Sequence, residues 1–126
     1  MAAYFKIDKE HRLVMSTLSG VLTMADALAH QENLRKHPDF DPSFSQLMDG
    51  TQLTGVELKR EDVQRLARDA VFSPHSRRAL VAGSDVAFGL ARMFEMFRQS
   101  MGEEGIRVFR NLDEALDWVL GKNTSA

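Results

Sequence analysis

The sequence predicts an α/β domain, with a five-stranded mixed sheet that opens on an antiparallel hairpin and carries four helices mainly on one face. Three observations predict it. Short β-forming runs alternate with longer amphipathic runs in the order β-β-α-β-α-β-α-β-α, and strands alternating with helices imply parallel crossovers. Gly20, Gly50 and Gly83, with Pro38 and Pro74, punctuate those runs. Finally, Leu13 and Met15 alternate with Val14 and Ser16, and Ile106 and Val108 with Arg107 and Phe109. A sheet buried on both faces reads as more uniformly apolar, so one face is expected to be only partly covered.

The elements follow in order. Tyr4–Asp8 and Arg12–Ser19 read as two strands joined through Lys9-Glu10-His11, short enough for a hairpin. Gly20 is expected to break the second strand. Thr23 is a good N-cap for a helix to about His37, with Met24, Ala27, Leu28 and Leu34 on one face and Pro38 as its stop. Phe44–Asp49 reads as the third strand, ended by Gly50, with Thr51–Gly55 as a loop. A second helix spans roughly Arg60–Phe72, with Val63, Leu66, Ala67, Ala70 and Val71 as its apolar stripe. Arg78–Ala82 is a fourth strand closed by Gly83, and Ser84 caps a third helix to about Met101. Ile106–Arg110 is the fifth strand. Asn111-Leu112-Asp113-Glu114 has capping-box spacing, and the last helix ends at Gly121, a natural C′ residue, before a polar tail expected to fray. With no repeat or linker, residues 1–126 read as one domain.

Composition narrows the functional classes. The 126 residues are 44% hydrophobic, ordinary for a globular chain, and the net charge of −2 gives no electrostatic case for nucleic acid. Arg65, Arg68, Arg77 and Arg78 form the densest basic group and read as solvated surface. There is no cysteine, which removes disulfides, thiol catalysis and zinc–thiolate sites. Met1–Lys9 has no signal-peptide core, and no run approaches the roughly 18 apolar residues of a membrane span, so no membrane insertion and a cytoplasmic location are expected.

No catalytic constellation stands out, and the chain is read as a non-enzyme without cofactor or metal. His11, His30, His37 and His75 are too dispersed to hold one ion. The carboxyl ends of parallel strands are the usual ligand edge of an open α/β sheet. Here that edge holds Thr23, Asp49, Gly50, Thr51, Gly83, Ser84 and Asp85. Small residues and helix starts there suit an anion, although Thr and Ser are equally explained as caps and the aspartates oppose one. Asp49 and Asp85 end consecutive strands, and paired carboxylates are capable of acid–base work, but no nucleophile with a base accompanies them.

The third helix is the most unusual segment. Val86, Leu90, Met93, Phe94, Phe97 and Met101 supply a core stripe, which leaves Phe88 and Met96 on another side. Surplus apolar side chains mark an interface or a pocket, so Phe88, Arg92, Met93 and Met96 are candidate interface residues.

Four stretches carry a family resemblance: Gly20-Val21-Leu22-Thr23 with Asp26; Leu47-Met48-Asp49; Ala79-Leu80-Val81-Ala82 with Phe88-Gly89-Leu90-Ala91-Arg92-Met93-Phe94; and Val108-Phe109-Arg110-Asn111-Leu112-Asp113-Glu114-Ala115-Leu116-Asp117-Trp118. Together they resemble the STAS domain, and more closely the small uncharacterised bacterial STAS-like (SpoIIAA-like) proteins. The resemblance implies a switch or interaction module. In the antagonist branch a Ser at the start of the second helix is phosphorylated by a partner kinase. The corresponding region here, Thr51-Gln52-Leu53-Thr54-Gly55, has no Ser, and Thr54 followed by Thr51 are the nearest acceptors. Three classes result: a regulatory or protein-binding module, expected as a homodimer or with a partner protein; a carrier of a small apolar or lipid-like ligand; and a phospho-switch.

Overall fold

The structure, a computed structural model, describes residues 2–69 and 71–121. Ala70, placed above on the stripe of the second helix, and the tail beyond Gly121 lie outside the described residues. The elements are β1 (Ala3–Asp8), β2 (Leu13–Thr23), α1 (Met24–Lys36), β3 (Ser45–Glu57), α2 (Arg60–Arg68), β4 (Arg78–Ala82), α3 (Asp85–Ser100), β5 (Ile106–Phe109) and α4 (Leu112–Val119). They form a five-stranded sheet in the order β1-β2-β3-β4-β5, antiparallel between β1 and β2 and parallel elsewhere. This is the mixed sheet that the sequence predicts.

Each strand pairs with its successor, so three right-handed crossovers put α1, α2 and α3 on one face. The last helix belongs to no crossover, and the handedness rule does not bind it. It lies on the opposite face, where Ala115 and Val119 pack with Leu13, Leu47, Ala79, Val81 and Phe109. Strand residues of the other parity, Val14, Gln46, Met48 and Leu80 among them, face the three-helix layer. Helix α4 packs chiefly on β3, β4 and β5. Beside it Tyr4, Lys6 and Met15 are exposed on the β1–β2 part of that face. The partial cover expected from the strand alternation is therefore located there.

Three expected boundaries change. Strand β2 does not stop at Ser19, nor β3 at Asp49; they remain paired as far as Thr23 and Glu57. Gly20, at φ 68°, belongs to an irregular stretch with register shifts at Thr17/Ser19 and Gly20/Val21. A glycine in that conformation bends a strand without ending it. Gly50 is likewise no terminator: a Cβ there would lie 2.8 Å from the Val81 carbonyl oxygen, so it permits close strand approach. The extended arms bury Leu18 and Leu22 with Leu53, Val56 and Leu58 packed against them, which supports strand over loop for Thr51–Gly55. Helix α2 ends at Arg68, with Asp69 as its C-cap, short of the expected Phe72.

The stripe expected on α3 also changes. Val86 is 67% exposed, and Met101 is exposed as well. The buried residues of this helix are Ala87, Glu95 and Arg98, and Leu90 and Phe94 face inward beside them. Apolar periodicity misplaced the helix because part of its inward face is charged. No helix among the described residues is long and apolar enough to cross a membrane.

Candidate functional site

Helix α1 lies on β1 and β2, and α3 on β3, β4 and β5. Helix α2 packs chiefly against α3 and α1, not down onto the strands. Its Val63 and Leu66 thus roof a space between helices and sheet. The result is a cavity of about 160 Å³, walled by apolar side chains such as Leu18, Leu22, Met48, Leu80 and Leu90. An enclosed space of about 150 Å³ takes a benzene-sized molecule. The volume therefore fits a small organic ligand and is too small to enclose a whole phospholipid.

The polar lining of this cavity includes His30, Gln46 and Arg78. Gln46 and Arg78 are register partners on adjacent parallel strands. Arg78 Nε donates to Gln46 Oε1 at 3.4 Å, and Gln46 Nε2 donates to Ser16 Oγ at 3.2 Å. The Ser16 hydroxyl lies 2.9 Å from His30 Nε2 on α1. All four residues are buried. Burial first, and then the positive charge of Arg78, push His30 down to about 4. Its imidazole is therefore neutral at pH 7 and shares a hydrogen bond with the Ser16 hydroxyl.

The chain of contacts continues away from the sheet. Arg78 Nη1 donates to Glu103 Oε1 at 3.2 Å, and Arg98 Nε donates to Glu103 Oε2. Arg98 also donates to the Ala67 carbonyl at 2.7 Å, which ties α3 to the last turn of α2. Glu95 accepts from Arg92 at 2.5 Å. The Arg78 guanidinium sits 4.9 Å from the Phe72 ring centroid and 5.3 Å from that of Phe94, within cation–π range. Desolvation lowers the Arg78 pKa and the Glu103 carboxylate opposes that shift. An arginine keeps its charge under such conditions. Arg78 was expected on the surface with Arg65, Arg68 and Arg77; those three are exposed, and Arg78 is in the core. Its place at the start of β4, with Leu80 and Ala82 following on the same face, explains the difference.

The strand-end residues singled out from sequence are engaged elsewhere. Thr23 accepts from Asp26 N, and Ser84 from Ala87 N, as helix caps. Asp49 Oδ1 accepts from Thr51 N and from the Thr51 hydroxyl at 2.6 Å. Asp85, 93% exposed at the side chain, pairs with Arg110 at 2.9 Å. The two carboxylates are thus occupied by different partners. Close packing explains the glycines: a Cβ on Gly83 would come within 3.0 Å of the Thr51 backbone, and Gly50 abuts Val81. Thr51 and Thr54 lie within β3, not at the start of α2, because β3 runs past Gly50. Of the candidate interface residues, Met96 is 61% exposed, Met93 half-buried, Arg92 exposed and paired to Glu95, and Phe88 half-buried beneath the Arg110 guanidinium at 4.1 Å.

No family model matches the chain, and no curated protein does. Among solved structures it is similar to an uncharacterised protein of the DUF3478 family, with a SpoIIAA-like fold, from Shewanella loihica PV-4. That likeness covers 94% of this chain and 93% of the other, at 19% identity and a TM-score of 0.61. At that identity the likeness speaks to the fold alone. The sheet order, the three crossover helices and this neighbour agree, and the chain has the SpoIIAA-like fold that its sequence predicts.

Proposed function

We propose that this chain is a non-catalytic, STAS-like module of the cytoplasm that takes up a small apolar ligand between its sheet and its three-helix layer. The observation that carries this reading is the cavity under α2, about 160 Å³ with mostly hydrocarbon walls and a confined polar end. Interiors normally pack without such spaces. Ligand sites, in contrast, are concave and largely apolar with a few placed polar groups. Native mass spectrometry of the freshly purified protein tests it. The expected result is a reproducible added mass of roughly 100–200 Da, the range for a molecule that fits this volume. An unligated mass, together with no thermal shift from any member of a panel of small apolar compounds, overturns it.

A second reading, a protein-binding module that pairs with a second copy or another protein, is favoured by Val86 and Met96 on α3 and Met101 at its C-cap, all exposed. Light scattering on the eluting protein at high concentration tests the homodimer, and a strict monomer removes it. The phospho-switch reading has Thr51 and Thr54 as its acceptors. A phosphate on Thr51 would stand against Asp49, which already holds the hydroxyl.

A further inference from the structure

The polar end of the cavity carries more positive than negative charge. Two buried guanidiniums, of Arg78 and Arg98, share the single carboxylate of Glu103. The other buried carboxylate, Glu95, is matched by Arg92. Gln46 and Ser16 are neutral and hydrogen-bonded to one another. His30 is uncharged near neutrality and balances nothing. One positive charge is therefore unmatched within the described cluster, beside a hydrocarbon-lined space. A buried charge without a counter-charge is costly. An anion entering the cavity would relieve that cost, and a planar guanidinium is suited to a carboxylate.

We propose that the ligand is a short carboxylic acid, with its hydrocarbon chain among Leu18, Met48, Leu80 and Leu90 and its carboxylate beside Arg78. This rests on the reading of the cavity as a ligand site. The volume sets the size at about six to ten non-hydrogen atoms. Longer acids exceed the enclosed volume, and a phosphate ester would need more charge among the lining groups than Arg78 provides beside the neutral His30, Gln31 and Gln46.

The test is calorimetric titration of the full chain with octanoate and with 1-octanol, which share the alkyl tail. Octanoate is expected to bind one to one and at least ten-fold more tightly than 1-octanol. Arg78→Met removes the surplus charge while leaving Arg98 paired to Glu103, and is expected to abolish or reverse that preference. Leu80→Trp, which fills the cavity, is expected to weaken both ligands. Equal binding of acid and alcohol overturns the carboxylate proposal and leaves the apolar-ligand reading standing. Binding of neither overturns both. An acid preference that persists in a folded Arg78→Met protein, or octanoate binding that is undiminished in Leu80→Trp, also overturns the proposal, since the acid is then held elsewhere. If Arg78→Met does not fold, the comparison of the two ligands on the unaltered chain and on Leu80→Trp decides alone.

Discussion

The two faces of the sheet are built from the same five strands and differ in kind. On the α4 face, Leu13, Leu47, Ala79, Val81 and Phe109 close against Ala115 and Val119, with the Phe109 and Trp118 rings 5.5 Å apart. On the other face the alternate residues of the same strands include Ser16, Gln46 and Arg78, followed by a cavity. A single helix laid directly on strands packs hydrocarbon densely. A three-helix layer whose middle member rests on its neighbours leaves a gap, and the polar chain from His30 to Arg98 borders and braces it. The lesson is that one sheet holds a closely packed face and a face that borders a cavity back to back, separated only by the parity of its residues.

Glu103→Gln should expose this contrast most strongly. It leaves two buried guanidiniums without their carboxylate, and loss of one partner of such a group costs roughly 3–5 kcal/mol. The midpoint of urea unfolding reports the loss, and an unchanged midpoint would show that the cluster braces nothing.

The histidine gives the cavity face a pH dependence. His30 sits at about 4 in the fold against about 6.5 unfolded, so the fold favours the neutral ring. Its contribution is complete above pH 6.5 and is lost as pH falls toward 4. That shift corresponds to about 3 kcal/mol. Around it stand Ser16, the edge of Phe5 and the charge of Arg78, with no carboxylate bonded to it among the described residues. Stability measured at pH 7 and pH 4.5 should fall more in the unaltered chain than in His30→Gln. Equal slopes would remove the histidine as the cause.

Paired enlargements sharpen the comparison further. Ala79→Val, on the closed face, should cost about 1–3 kcal/mol through overpacking. Ala82→Val, which lines the cavity, should cost less than 1 kcal/mol because space is available. Equal losses in thermal unfolding would mean that the cavity is not open to a methyl group. The smallest change is expected at Asp85→Ala, which removes a surface pair with Arg110 and should shift stability by less than about 1 kcal/mol.

The sequence by itself determined the element order, the hairpin, the caps at Thr23, Ser84 and Asn111, and the parallel sheet, because these depend on local periodicity and on crossover handedness. It also carried a trace of the cavity face: Ser16, Gln46 and Arg78 interrupt strands at positions of one parity. That trace could not be read alone, because a polar residue in a strand looks the same whether it faces water or a buried partner. Only the tertiary structure brought Glu103 to Arg78, and His30 to Ser16, across separations of 25 and 14 residues. It alone carried β3 past Gly50 and put α4 on the opposite face. Long-range pairing decides these things: a glycine ends a strand or bends it, and an arginine is solvated or buried, according to what the rest of the chain places beside it.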